Sequence, residues 1–218
     1  LKDMRFKAFE KTIQEINKLS LPGLDIQLQM APPFREQLLE RYKEERKSAK
    51  LAAVLALFYP SVEGETRMVL IVRKSYKGVH SAQVGFPGGK PEPEDCSKEA
   101  TALRETFEEI GVSSDKITVL RELSSLYIPP SNFLVAPFLG IADSPLTFTL
   151  QESEVETILE VPLTEFLNKK SEVFSEVLTA EGSIYNVPAF KLSGRIVWGA
   201  TAMMLIEIKT MINQVLKK

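Results

Sequence analysis

The chain has one cysteine, Cys96, and one histidine, His80, among 218 residues. A disulfide needs two cysteines, so no internal disulfide framework holds this chain. The same counts exclude a cysteine-based zinc site and a metal site built on several histidines. No apolar run approaches the ~20 residues that span a bilayer as a helix, and the first residues do not read as a signal peptide. The expectation is a soluble, cytoplasmic protein with no membrane partner. Formal net charge is only −2, so there is no overall basic field to draw in nucleic acid, and none is expected as a partner. Internal repeats and low-complexity segments are missing too.

What is present suits a folded enzyme-sized domain. Hydrophobic residues make up 44% and charged residues 26% of the chain, enough apolar material for a core and too little charge for disorder. Residues 3–19 read as an amphipathic helix, with Phe6, Phe9, Ile13, Ile16 and Leu19 at helical spacing. Pro22-Gly23 ends it, and residues 34–50 are charge-rich and helical in pattern. Residues 1–50 are expected to be an N-terminal helical extension packed on a main domain of residues 51–218. That domain opens with the run LAAVLALFY (51–59), a buried strand closed by Pro60, and a second strand over 67–72. Further strands are expected over 117–125 and 133–142, separated by a stiff loop at 127–132, and around Val155, Ile158 and Leu159. A short helix over 163–167 follows Pro162, then a hairpin, 173–178 with 184–190, turning at Glu181-Gly182. A docked helix over 196–215, with Trp198 near its start, closes the chain. The pattern is mixed α/β without the regular alternation of a doubly wound sheet.

The chemistry concentrates in residues 84–112, VGFPGGKPEPEDCSKEATALRETFEEIGV. Ser97 is the expected N-cap of a helix running to about Ile110, and Gly111 its C-terminal stop. At about 100° per residue, Cys96, Ala100, Leu103, Phe107 and Ile110 share one arc, which is expected to be the buried side. Glu105, Glu108 and Glu109 fall opposite, at i, i+3 and i+4, where like charges repel unless a cation lies between them. Carboxylate oxygens suit Mg²⁺, Mn²⁺ or Ca²⁺. The Gly88-Gly89 turn lets the backbone approach closely, offering amides to phosphate or a carbonyl to metal. Arg104, one turn before Glu108, can hold a glutamate by a two-pronged contact. Such residues suit metal-assisted attack of water on a phosphoryl group. A lone E-x-x-E-E more often marks a salt-bridged surface helix, so the order of residues around it matters.

Gly89, a mainly acidic loop and then RETFEEIGV (104–112) resemble the Nudix hydrolase signature, a glycine followed at fixed distance by R-E-U-x-E-E-x-G-U with U bulky and apolar. The loop is one residue longer than the general box, Asp95 stands where its first acid falls, and Thr106 replaces a bulky residue. LIVRKS (70–75) with HSAQVGFPGGK (80–90), TALRET (101–106), EEIG (108–111) and VWGATA (197–202) are similar to the fuller pattern of the coenzyme A pyrophosphatase subfamily. Here Lys74 stands for a usual arginine and Ala82 for a glycine. Lysine keeps the charge but loses the guanidinium fork, which bears on substrate affinity.

The resemblance covers roughly residues 51–210. It implies an α/β/α sandwich with a mixed sheet, and Mg²⁺- or Mn²⁺-dependent cleavage of coenzyme A or its derivatives at the diphosphate. Another nucleoside diphosphate derivative or a (d)NTP is the alternative substrate, and a non-catalytic nucleotide-binding module the alternative role. Carried over by position, Glu105, Glu108 and Glu109 would bind the metal and Arg104 would orient them. Gly88 or Gly89 would give a backbone carbonyl, Gly89 grouped with the metal and Gly88 with the substrate. Glu154 is a candidate additional base or ligand. Arg73, Lys74 and Lys77 are candidate holders of a 3′-phosphate, and edge-strand solubilisation is their other reading. His80 would touch substrate or metal, or serve as a hydrogen-bonded structural histidine. The partner is a small nucleotide of the coenzyme A kind, and a homodimer is possible.

Overall fold

A computed structural model describes residues 5–74, 83–179 and 182–217. The chain begins with α1 (Phe6–Ile13), a 3₁₀ turn (Gln14–Lys18), α2 (Leu24–Gln27), a second 3₁₀ turn (Leu28–Met30) and α3 (Arg35–Arg41). The strands β1 (Lys50–Pro60), β2 (Thr66–Arg73), β3 (Val84–Gly85) and β4 (Gly88–Gly89) lead into α4 (Lys98–Ile110). Then come β5 (Thr118–Glu122), β6 (Leu126–Ile128), β7 (Phe133–Ile141), β8 (Val155–Pro162) and α5 (Leu163–Leu167). The last elements are β9 (Glu172–Leu178), β10 (Ile184–Leu192), β11 (Arg195–Trp198) and α6 (Gly199–Leu216).

Eight of the strands form one mixed sheet. Its centre is β1, parallel to β7 along Lys50–Phe58 and antiparallel to β2 only at Phe58–Pro60. Beyond Met68 the two central strands part, and the chain returns to fill the gap. There β3 pairs with Ile71 and Val72 of β2, and β4 pairs with Ala53 and Val54 of β1. The glycine turn is thus wedged between the two central strands. The other edge of β2 is taken along its length by β8, antiparallel. A separate three-stranded antiparallel sheet, β9-β10-β11, lies beyond.

Alternation along the strands sends side chains to two cores. Ala53, Leu55, Leu57, Tyr59, Val69 and Ile71 pack under α4, against Ala102 and Ile110. Ala56, Phe58, Met68 and Leu70 face the other way, against α6 and the N-terminal residues Phe6, Phe9, Ile13 and Ile16. This is the α/β/α sandwich with a mixed sheet that the resemblance implies. Among the described residues no helix is long and apolar enough to cross a membrane.

Several boundaries differ from expectation. The N-terminal periodicity does not make two long helices. The first tightens into a 3₁₀ turn after Ile13, and the charge-rich stretch is helical only to Arg41, with a 3₁₀ turn at Glu45–Ser48. Mixed-sign surface charge supports a helix only weakly without an apolar face to bury. Residues 126–128 form a short strand on β7 where a loop was expected. The last helix starts at Gly199, because residues 195–198 pair with β10 as β11.

Candidate active site

Local chemistry builds α4 as the sequence predicts. The Ser97 side chain accepts a hydrogen bond from the Ala100 amide, and Gly111 closes the helix at φ 74°. A side chain at Gly111 would press within 2.8 Å of Thr149, so the chain segment that follows β7 packs tightly across the helix end. That segment caps the free carbonyls: the Thr149 amide donates to Ile110 and the Gln151 amide to Glu109.

The buried face of α4 is the surprise. Thr101, Ala102, Thr106, Glu109 and Ile110 are buried, while Cys96 and Phe107 are exposed. The helix is turned by roughly a third of a turn from the apolar arc of the sequence. A reading of Cys96 as core filler is therefore incorrect. The reason is polar. Thr106 takes a core position because its hydroxyl donates to the Ala102 carbonyl at 2.6 Å and needs no other partner. Glu109 can be drawn inward because the wedged glycine turn offers it a donor.

That donor is the Gly88 amide, 2.8 Å from Glu109 Oε2. The other oxygen, Oε1, is buried without a hydrogen bond, and the Arg73 guanidinium stands 3.3 Å away. Side-chain exposure is 1% for Glu109, 16% for Glu105 and 45% for Glu108, so the three acids of the box occupy three different environments. Burial raises the Glu109 carboxyl to about 7, against the pull of Arg73 and the Gly88 amide, with Glu105 and Glu154 adding to the rise. Glu105 is also raised, first by burial, with Arg104 opposing and Glu108 and Glu154 contributing.

Two glycines make this arrangement possible. A Cβ on Gly88 (φ 147°) would lie 2.3 Å from the Ala53 carbonyl oxygen, and one on Gly89 would lie 2.3 Å from Glu105 Oε1. The first closeness seats the turn on β1; the second seats the Glu105 carboxylate on the turn.

Arg104 organises the outer half. It grips Asp95 through Nε to Oδ1 and Nη2 to Oδ2, both at 3.0 Å, and reaches the Lys90 carbonyl at 2.8 Å. The same guanidinium meets Glu108 at 3.0 Å and Glu105 at 3.3 Å. Its hold keeps the Asp95 carboxyl well below the usual range. Asp95 also accepts from Thr101 Oγ1 and the Glu92 amide, both at 2.9 Å, so it is the anchor of the acidic loop. The resemblance places Asp95 at the first acid of the box, but neither spacing nor residue type indicates that it would pair with Arg104.

Glu154 is exposed at the start of β8, its amide bonded to Gln151, and its charge is felt by both Glu105 and Glu109. The segment that caps α4 is what brings it there. Lys74 is exposed and lines a cavity of about 500 Å³ with Thr149, Leu150, Glu152, Val155 and Glu156. Lys77 and His80 lie outside the described residues. The structure thus gathers Arg73, Gly88, Gly89, Arg104, Glu105, Glu108, Glu109 and Glu154 around the end of α4, with Lys74 on the neighbouring cavity.

Among the described residues no three acidic groups already converge as a metal cage; Arg104 stands between Glu105 and Glu108. The donors nevertheless fit a hard divalent ion. Glu109 Oε1 is a buried carboxylate oxygen with no hydrogen bond, and Glu105 is held on the adjacent glycine backbone. A buried acid facing a backbone turn, with exposed carboxylates at the rim, has the form of a hydrolase that works on phosphate groups through a cation.

Comparison with known proteins agrees. The NUDIX domain family model matches residues 50–181. A protein described as uncharacterized Nudix hydrolase NudL, from Photorhabdus laumondii, is 31% identical over 183 residues, covering 84% of this chain and 91% of the relative. Nudix hydrolase 22, chloroplastic, of Arabidopsis thaliana is 33% identical over 172 residues, 76% of this chain and 56% of the relative. The crystal structure of a MutT/nudix family protein from Enterococcus faecalis shares the fold, with a TM-score of 0.50 and 18% identity over 97% of this chain and 75% of that one. The chain belongs to the Nudix family. It is a Nudix pyrophosphatase acting on a nucleotide-derived substrate, and enzymes of this family generally use divalent metal ions.

Proposed function

We propose that the chain hydrolyses the diphosphate bond of coenzyme A or its derivatives with Mg²⁺ or Mn²⁺, releasing 3′,5′-ADP and 4′-phosphopantetheine or its acylated form. One observation carries the reading. The described parts of the subfamily-like run, residues 70–74 and 83–90, lie in and beside β2, β3 and β4, directly beside Glu109. The part of the sequence that resembles coenzyme A pyrophosphatases is therefore built into the site.

In this reading Glu105, Glu108 and Glu109 hold the metal, which would supply positive charge to the phosphate oxygens when bound. The oxygen of a water molecule forms a bond to one phosphorus, and the bridging P–O bond breaks. The electron pair leaves with the departing phosphate, and the water's proton passes to a carboxylate of the set, Glu105, Glu109 or Glu154. Arg104 keeps Glu105 and Glu108 aimed by its anchorage to Asp95. Lys74 and Lys77 are the cations assigned to a 3′-phosphate. Residues 1–50 form an extension on the catalytic domain of residues 51–218.

A second reading, hydrolysis of another nucleoside diphosphate derivative, rests on the surroundings of the proposed 3′-phosphate holders. Arg73 turns inward to Glu109, and Lys74 shares its cavity with Glu152 and Glu156, which repel an anion. A substrate panel decides between them: coenzyme A, acetyl-coenzyme A, dephospho-coenzyme A, ADP-ribose, dinucleoside polyphosphates and dNTPs, each with Mg²⁺ and with Mn²⁺. Preferred cleavage of the coenzyme A compounds is expected. Turnover of ADP-ribose or dNTPs with coenzyme A untouched would overturn the proposal.

A further inference from the structure

Arg73 stands one residue before Lys74, which takes the place of the usual arginine of the subfamily. Strand alternation puts it on the same face as Val69 and Ile71, toward α4. The ladder between β2 and β8 shifts register between Val72 and Arg73, the kind of irregularity that re-aims a side chain. Its backbone still pairs, donating to the Gln83 carbonyl. The side chain closes a ring of three groups. Arg73 Nη2 donates to the Gly88 carbonyl at 2.9 Å, the Gly88 amide donates to Glu109 Oε2 at 2.8 Å, and Glu109 Oε1 faces Arg73 Nη2 at 3.3 Å.

Gly88 is thus held through both sides of its residue, and the same two partners hold each other. The peptide has nowhere to retreat, since its α-carbon lies close against the Ala53 carbonyl and Val54. We infer that Arg73 is a positioning residue: it clamps the glycine turn to the buried box glutamate and so fixes the height of α4 over the sheet. It is not a holder of substrate phosphate. An arginine suits this task because one planar cation can serve a carbonyl and a carboxylate together, which a lysine ammonium does less rigidly. The inference deepens the hydrolase reading and relies on it only for its kinetic arm.

Two variants test it, Arg73→Gln and Arg73→Lys, both checked for folding by circular dichroism. The structural arm follows amide hydrogen exchange at Gly88 in the metal-free protein, with Val69, in the same strand as Arg73, as reference. In Arg73→Gln the Gly88 amide is expected to exchange at least tenfold faster, with Val69 unchanged, and Arg73→Lys is expected to recover part of the protection. The functional arm measures coenzyme A hydrolysis and, separately, coenzyme A binding by calorimetry without metal. Arg73→Gln is expected to lower kcat at least tenfold, with KM and calorimetric affinity within twofold of the parent. Unchanged Gly88 protection would overturn the inference. So would a raised KM with normal kcat and lost calorimetric binding, which would make Arg73 a substrate contact. If the parent chain does not hydrolyse coenzyme A, the substrate reading fails, and the exchange result at Gly88 still decides the role of Arg73.

Discussion

Among the described residues, two glutamates lie fully buried on helices that cover opposite faces of one sheet, and they are finished differently. Glu207, on α6, has both oxygens served: Oε1 accepts from the Gly23 amide at 3.2 Å and Oε2 from Gln27 Nε2 at 2.9 Å. Gln27 also donates to the Ser124 carbonyl, so this acid ties the N-terminal segment to the body of the domain. Glu109, on α4, has one oxygen served by Gly88 and one left without a hydrogen bond beside Arg73. Burial is the same, so burial does not mark the functional acid. In the proposed reading, the oxygen left without a hydrogen bond does. A satisfied buried carboxylate contributes to docking, and an unsatisfied one keeps a place for a ligand.

The sharpest break of the comparison is exchange of each acid for its amide. Glu109→Gln is expected to lower metal-dependent turnover by roughly 10²–10³-fold while the protein stays folded, because Glu109 is a proposed metal ligand and Arg73, the partner it leaves, still donates to the Gly88 carbonyl. Turnover at the parent level would remove Glu109 from the site. Gly88→Ala comes next. It denies Glu109 its donor by driving a Cβ into the β1 backbone at a positive φ, and is expected to cost about 3 kcal/mol or more, read by urea denaturation.

The Glu109 carboxyl is pushed up to about 7 from an ordinary 4.5. Its folded value lies above its unfolded one, so its contribution to stability is fully present below about 4.5 and is lost as pH rises through about 7. Metal-free protein should lose roughly 2–3 kcal/mol between pH 4.5 and 8 from this group, and Glu109→Gln should flatten that slope. Denaturant midpoints at several pH values measure both. The smallest effect belongs to the other acid. Glu207→Gln turns an amide donor toward Gln27 or Gly23 and is expected to cost about 1–3 kcal/mol, a melting shift of about 2–4 °C for each kcal/mol, with turnover within threefold. Loss of turnover there would erase the distinction between the two acids.

The box could be read from sequence because its elements depend on near neighbours. Ser97 and Gly111 bracket a helix, and the order of residues around the three glutamates carries the resemblance to the Nudix signature. The wrong rotation of α4 has a specific cause. Apolar periodicity placed Phe107 and Cys96 inside, whereas hydrogen bonding within and beyond the helix lets Thr106 and Glu109 take those places. In the sequence Arg73 groups with Lys74 and Lys77 as a candidate phosphate holder or edge-strand charge, since nothing in its neighbours shows which way a strand end will aim. Glu154 could be named but not located, because its place depends on the segment that caps α4.

The sequence by itself determined the α/β character, the caps of α4, the central strands and the residue types of the acidic box. These follow from turn chemistry and from periodicities a few residues long. The tertiary structure alone decided which face of α4 is buried, which glutamate keeps an open oxygen and where Arg73 points. Those outcomes depend on groups 21 residues apart, as for Gly88 and Glu109, or 180 apart, as for Gln27 and Glu207. No local pattern carries them, because an oxygen's hydrogen-bond partners are known only once the two central strands have parted and the glycine turn has filled the gap.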